Sequence, residues 1–201
     1  MSRRVLLVDT RRVLLVDTET TSLSPQTGEI WELAIIDRTN GTEHLWRVRP
    51  DLAKADPGAL RVNRFYERTA GMKARDTLAH DLAARSRPGG YWSHGPALAE
   101  TAAKLLDDAV IVAANPAFDA GFLTAFLNAH GQAATWHYRL RDIGSMAWGW
   151  LQANGVPPAI DASTDQFAEA LGLDANLFGR HSALGDCRLL AAMMNVIEGA
   201  P

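Results

Sequence analysis

Two acids with one residue between them, Asp17 and Glu19, close a short apolar run in Val13 to Leu23, VLLVDTETTSL. Four apolar residues followed by a polar, turn-prone segment predict a buried strand. Side chains on a strand alternate faces, so both carboxylates point to one side near the strand's end. Held a few ångströms apart they repel unless positive charge lies between them, and a hard divalent cation with oxygen ligands is the usual remedy. Two solvated acids at a strand end form the competing reading, and this stretch alone does not separate the two.

Two further stretches carry groups of the same kind. In NPAFDAGFL, Asp119 falls in the first turn of a helix that follows a buried strand, where the helix dipole favours an ionised carboxylate. In HSALGDCRLLA, His181 precedes a C-terminal helix and Asp186 lies inside it. Five positions along a helix turn the side chain by about 140°, so His181 and Asp186 cannot share one helical face. His181 is therefore expected in the lead-in loop or first turn, beside a site that Asp186 helps to build.

With these stretches in order, the chain resembles the DEDDh 3′-to-5′ exonucleases of the DnaQ-like superfamily, which includes the proofreading epsilon subunit of bacterial DNA polymerase III. Asp17 and Glu19 match the first family motif, Asp119 the second, and His181 with Asp186 the third, over Val13 to about Ile197. Each motif alone is common; the five residues in order, each at a strand or helix boundary, are not. The resemblance implies a ribonuclease H-like fold in which Asp17, Glu19, Asp119 and Asp186 hold two Mg²⁺ or Mn²⁺ ions, with Asp17 bridging them. Phosphodiester hydrolysis needs an oxygen nucleophile at neutral pH and relief of charge on the leaving oxygen, and paired metals about 4 Å apart provide both. His181 is then the natural general base, because imidazole titrates near neutrality. The resemblance also implies substrate contacts at Thr18, Thr20, Thr21, Leu23, Asn63, Asn115 and Phe118. Ser22 and Ala114 replace the family's frequent glycine and histidine, and Asn63 stands where some relatives place a histidine. These departures bear on substrate preference, not on the metal ligands.

The elements that must position these groups are legible around them. Glu29 to Arg38 and Glu43 to Arg49 carry strand-forming residues, and Asn40 with Gly41 marks a hairpin, so three consecutive antiparallel strands are expected to open the fold. Trp31 and Trp46 are expected to pack in the core. Helices are predicted over Pro96 to Asp108, Ala117 to His130 and Asp142 to Asn154, with a strand at Ala109 to Ala113. A capping box at Ser163 to Gln166 opens another helix that stops near Gly172. Ser182 to Glu198 is predicted as the last, with Leu184, Leu189, Leu190, Met193 and Ile197 as its apolar stripe. Strands followed by alternating helices and strands give an α/β class, a mixed sheet flanked by helices.

An exact repeat opens the chain: Arg3 to Thr10, RRVLLVDT, recurs as Arg11 to Thr18, and only the second copy is followed by glutamate at the required spacing. Residues 1–10 are read as a duplicated segment without chemistry, residues 11–201 as one exonuclease domain; a spare apolar strand pairing with a sheet edge is the other reading of the first copy. From Arg61 to Trp92, seven cations stand against three acids, interleaved with Phe65, Tyr66, Tyr91 and Trp92. Such a segment suits phosphates and stacked bases, or simply a solvated helical face.

The whole chain has 201 residues, a net charge of −3 and 47% hydrophobic residues, enough for one real core and against a general electrostatic grip on nucleic acid. The single cysteine, Cys187, cannot form an internal disulfide and is expected to be an inert buried thiol. Without a membrane-length apolar run or a signal-peptide pattern, the expectation is a soluble, cytoplasmic protein with no membrane partner. The partner implied is a nucleic-acid 3′ end, single-stranded DNA ahead of RNA, with room for a DNA polymerase as protein partner. An exoribonuclease and a catalytically silent binding module remain the alternatives.

Overall fold

The computed structural model describes residues 11–74 and 91–199. The first copy of the repeat, and Arg75, Arg85 and Arg87 of the basic stretch, lie outside the described residues.

Five strands form one mixed sheet in the order β3-β2-β1-β6-β7. β1 (Val13–Thr20), β2 (Ile30–Asp37) and β3 (Thr42–Arg47) make an antiparallel meander, as the hairpin signals predict. Gly41 takes φ +70°, the left-handed conformation that closes the second hairpin, and its N–H returns to the Asp37 carbonyl at 2.8 Å. On the other side of β1, β6 (Val110–Ala113) and β7 (Arg141–Asp142) run parallel to it. A short pair, β4 (Lys73–Ala74) with β5 (Tyr91–Trp92), forms a second sheet that adjoins the end of β3, where Ser93 N donates to the Arg47 carbonyl at 2.6 Å. Trp31 and Trp46 are both core residues.

Alternation along β1 assigns the two faces. Leu14 and Val16 join a core with α3 (Gly95–Leu106) and α4 (Pro116–Ala129). Leu15 joins the opposite core with α5 (Ile143–Ala153), α6 (Thr164–Ala170) and α7 (Ala183–Glu198). Asp17 and Glu19 continue the Leu15 series and so face α7. The short helices α1 (Pro57–Val62) and α2 (Phe65–Thr69) close over the end of β1, where Phe65 packs edge-on against Trp31 at 5.1 Å between ring centroids. Among the described residues no helix is long and apolar enough to cross a membrane.

Local signals explain the helix ends. Ser163 and Gln166 form the expected reciprocal capping box on α6. Asp142 caps α5 and Ser182 caps α7 by accepting from backbone N–H groups three residues on. Asn115 is the N-cap of α4 as expected, but its side chain makes no capping bond. The buried side of α7 is centred on Ala183, Cys187, Leu190 and Met194 together with Leu189 and Met193; Leu184 and Ile197, expected within the stripe, lie at its margin. The displacement follows from how closely the helix approaches the sheet: small residues face it, and Cys187 Sγ sits 3.6 Å from the carbonyls of both Leu15 and Ala34. Cys187 has no exposure, and burial pushes its thiol well above the usual range, as an inert core thiol requires.

A second close approach, of the turn at Phe178 and Gly179 to the head of α7, fixes Gly185. A Cβ there would collide with the carbonyl oxygens of Phe178 and Gly179, which are backbone atoms and cannot swing away. Gly149, in the body of α5, would meet nothing within 4 Å. Gly185→Ala is expected to cost about 1–3 kcal/mol, lowering the melting temperature by about 2–4 °C per kcal/mol. Gly149→Ala should raise it slightly through reduced unfolded-state freedom. Calorimetry on the two variants checks the contrast.

Candidate active site

β1 outruns its parallel neighbour. The β1–β6 register ends at Leu15 opposite Val112, because β6 gives way to α4 at Pro116. The backbone N–H of Thr18 therefore lacks a strand partner, and Asp119 in the first turn of α4 takes it: Oδ1 accepts from Thr18 N at 2.9 Å and from Thr18 Oγ1 at 2.8 Å. This is how a residue on a helix from the opposite face reaches the acids of β1. Asp119 is buried, with 4% exposure.

On the α7 face, Asp17, Glu19 and Asp186 each offer a carboxylate oxygen, and the three lie within 4.8 Å of one another. Asp119 stands outside this trio but close enough that its charge acts on both Asp17 and Glu19. Burial pushes the Asp119 carboxyl up to about 7 against the two Thr18 hydrogen bonds, which favour the ionised form. Burial likewise pushes Glu19 up to about 7, opposed by Arg68 and reinforced by Glu32. Asp17 is driven well above the carboxylate range, first by burial and then by the charges of Asp119 and Glu19, with Arg180 pulling the other way.

Three residues that the motifs do not include enter here. Glu32 lies opposite Glu19 in the β1–β2 register and has no exposure. It accepts from Arg47 Nε at 2.6 Å, from Arg68 Nη2, and from the backbone N–H of Ala183 at 3.0 Å. Arg180 donates from Nη1 to Asp186 and from Nε to Asp165 at 2.7 Å. The sequence held one signal for Glu32, a lone acid inside the apolar run IWELAIID, where a charge demands partners. Arg68 belongs to the basic stretch read as suited to phosphates or as a solvated helical face; its guanidinium turns inward instead, to Glu19 and Glu32.

His181 is exposed and lies in the lead-in loop of α7, at φ +60°. Its carbonyl, not its ring, is tied to the site, accepting from Arg68 Nη1 at 2.9 Å. The residues expected at the substrate divide into two groups. Thr18, Thr20, Thr21 and Asn63 are buried, their side chains engaged inside the protein: Thr20 Oγ1 donates to the Ser22 carbonyl, Thr21 Oγ1 accepts from Glu29 N, and Asn63 Nδ2 donates to the Thr20 carbonyl at 2.8 Å. Leu23 is 77% exposed, Asn115 is exposed, and Phe118 is half-buried against Phe122.

No protein-family model matches the chain, and no curated protein matches it. Solved structures do. Escherichia coli Exonuclease I in complex with a dA16 oligonucleotide aligns at a TM-score of 0.66 and 16% identity, over 94% of this chain and 41% of that one. The fold is ribonuclease H-like. The zinc-ion-bound form of the E. coli Exonuclease I–ssDNA complex aligns at 0.67 and 16% identity, over 95% and 41%. Product-bound exonuclease I gives 0.63 and 17%, over 95% and 44%. The chain spans less than half the length of these proteins.

The raised carboxyls make stability depend on pH in a stated direction. Between the ordinary carboxylate value of about 4 and the raised values of about 7 for Glu19 and Asp119, the folded protein binds more protons than the unfolded chain. Stability therefore falls as pH rises through that window. In chelator, the melting temperature is expected to be several degrees lower near pH 8 than near pH 5, and Asp119→Asn should flatten the profile.

Proposed function

We propose that the chain is a metal-dependent 3′-to-5′ exonuclease that hydrolyses phosphodiester bonds at the 3′ end of DNA and releases 5′-mononucleotides. One observation carries the reading: acids separated by up to 169 positions, Asp17 to Asp186, converge within 4.8 Å, with Asp119 beside them. An all-oxygen donor set suits hard divalent cations, two Mg²⁺ or Mn²⁺; burial first, and like charge at Asp17 and Glu19, raise its carboxyls, a cost that bound cations would offset. The DEDDh pattern assigns Asp17, Glu19, Asp119 and Asp186 to holding them, and His181 to the base.

Bound there, divalent cations supply charge relief at the phosphodiester and a nucleophilic water at neutral pH. The chain's own residues do the rest. Thr18 fixes the Asp119 carboxylate from two directions. The exposed His181 imidazole, on a loop at the rim, takes the proton of the attacking water at a ring nitrogen. Leu23, apolar and 77% exposed just beyond β1, offers a surface for the terminal base, and Asn115 offers an amide at the head of α4. The buried Thr20, Thr21 and Asn63 shape the turn that presents Leu23. DNA is favoured over RNA because the aligned exonuclease I structures hold dA16 and dT13 oligonucleotides. Residues 11–201 form the catalytic unit in this reading, residues 1–10 are dispensable, and proofreading beside a polymerase in the cytoplasm is the role the epsilon resemblance suggests.

The test is 5′-labelled single-stranded DNA and RNA of one sequence, with Mg²⁺ and with chelator. Shortening of DNA from its 3′ end in Mg²⁺ only is expected. Asp17→Ala should reduce it to background while Asp9→Ala leaves it intact, and His181→Ala should lower kcat by about 10²–10⁴-fold. Preferential shortening of RNA makes the enzyme an exoribonuclease; binding without cleavage makes it a silent module. Cleavage that survives Asp17→Ala overturns the assignment of the site.

A further inference from the structure

Arg68 makes more contacts around the site than any phosphate-binding role needs. From α2, its Nη1 donates to the carbonyls of His181 at 2.9 Å and Asn63 at 3.1 Å and reaches Glu19 Oε1 at 3.4 Å. Its Nη2 donates to Glu32. The guanidinium lies 4.7 Å from the centroid of the Trp31 ring, so one of its faces is covered by an aromatic plane. The side chain keeps only 13% exposure.

The carbonyl it holds belongs to a residue in an unfavourable conformation. At φ +60°, His181 sits in the left-handed region, which costs a non-glycine residue about 1–2 kcal/mol. Such a conformation persists only where the surroundings over-determine it. Two of those constraints come from one source: Glu32 accepts from Ala183 N, two residues after His181, and Glu32 is itself held by Arg47 and Arg68. The loop carrying His181 is thus clamped at its carbonyl by Arg68 and at the head of α7 by the carboxylate that Arg68 neutralises.

We propose that Arg68, locked by Glu32, is a positioning residue that fixes the His181 backbone and thereby aims its imidazole, while steadying Glu19 from the other side. The proposal rests on the exonuclease reading for the role of the imidazole; the clamp on the loop stands without it. A guanidinium is required because the contacts lie in two directions, the His181 and Asn63 carbonyls on one nitrogen and Glu32 on the other, which a planar fork spans and a single ammonium does not.

Arg68→Lys keeps the charge and removes the fork. It is tested by steady-state cleavage of 5′-labelled single-stranded DNA, Mn²⁺ titration calorimetry, and amide hydrogen exchange at residues 181–183 in metal-free protein. The expected result is kcat lowered by about 10–10²-fold with KM unchanged, Mn²⁺ stoichiometry preserved, and faster exchange at Ala183, whose N–H Glu32 holds. Glu32→Gln should reproduce the faster exchange, because a neutral amide grips Arg68 less firmly. Unchanged exchange in Arg68→Lys overturns the clamp. Faster exchange with wild-type kcat, or a lower melting temperature as the sole effect, overturns the positioning role and leaves Arg68 structural. Failure of the exonuclease reading shows separately, as wild-type protein that neither binds Mn²⁺ nor cuts DNA while the exchange arm still responds.

Discussion

A carboxylate with no exposure, Glu32, sits on β2 beside the end of β1, and the arrangement around it follows from the cost of leaving it there. Moving an ion out of water costs several kcal/mol even after relaxation, and breaking one partner of a buried pair typically costs about 3–5 kcal/mol. Glu32 meets that cost with three donors from three elements: Arg47 on β3, Arg68 on α2 and the first backbone N–H of α7. The last is favourable twice over, since a helix N-terminus has an unsatisfied donor and a positive dipole end. One side chain thereby fixes where α2 and α7 stand relative to β1, and these elements carry or flank Glu19, His181 and Asp186.

The geometry of the strand end supplies the second half. A strand longer than its neighbour leaves N–H groups without partners, and a helix that begins where that neighbour stops can fill the gap with an acid in its first turn. Asp119 does this for Thr18. The outcome is an acid that belongs to one layer of helices by its backbone and to the opposite layer's site by its charge, without crossing the sheet. Pro116 at the head of α4 fixes where the strand must end.

This division also explains what could be read from the sequence. Strand alternation places Asp17 and Glu19 on one side, helix geometry keeps His181 off the face of Asp186, and the Ser163 capping box marks α6; each depends on neighbours a few residues apart. Glu32, Arg68 and Arg180 are decided by partners up to 151 positions away, as between Glu32 and Ala183, and no local period reports them. The two readings open for the basic stretch both point its cations outward, because charge density along a segment does not say which cation turns inward to meet buried acids, as Arg68 does. The α7 stripe shifted because hydrophobicity ranks leucine above cysteine and alanine, while close approach to a sheet favours the smaller residues. Thr20 and Thr21 look available as polar side chains in a motif, yet the turn after β1 uses both hydroxyls in its own hydrogen bonds, and Asn63, at the end of α1, spends its amide N–H on the Thr20 carbonyl.

The two sets of acids at this end of the sheet are treated differently, and the difference bears on what the site is for. Glu32, which no motif includes, receives two arginines and a helix terminus, enough to satisfy its charge in place. Asp17, Glu19 and Asp119 receive less: Arg68 reaches Glu19 only at 3.4 Å, and Asp119 is offered neutral donors. Arg180 does pair with Asp186, but its guanidinium is shared with Asp165, which is 53% exposed, and its pull on Asp17 leaves that carboxyl well above the ordinary range. A fold able to neutralise one buried acid so fully has the means to neutralise its neighbours, by arginine or by burying fewer of them. Burial first, and like charge second at Asp17, raise these carboxyls, so the cluster costs stability near neutral pH; under the exonuclease proposal, cations held there would offset that cost.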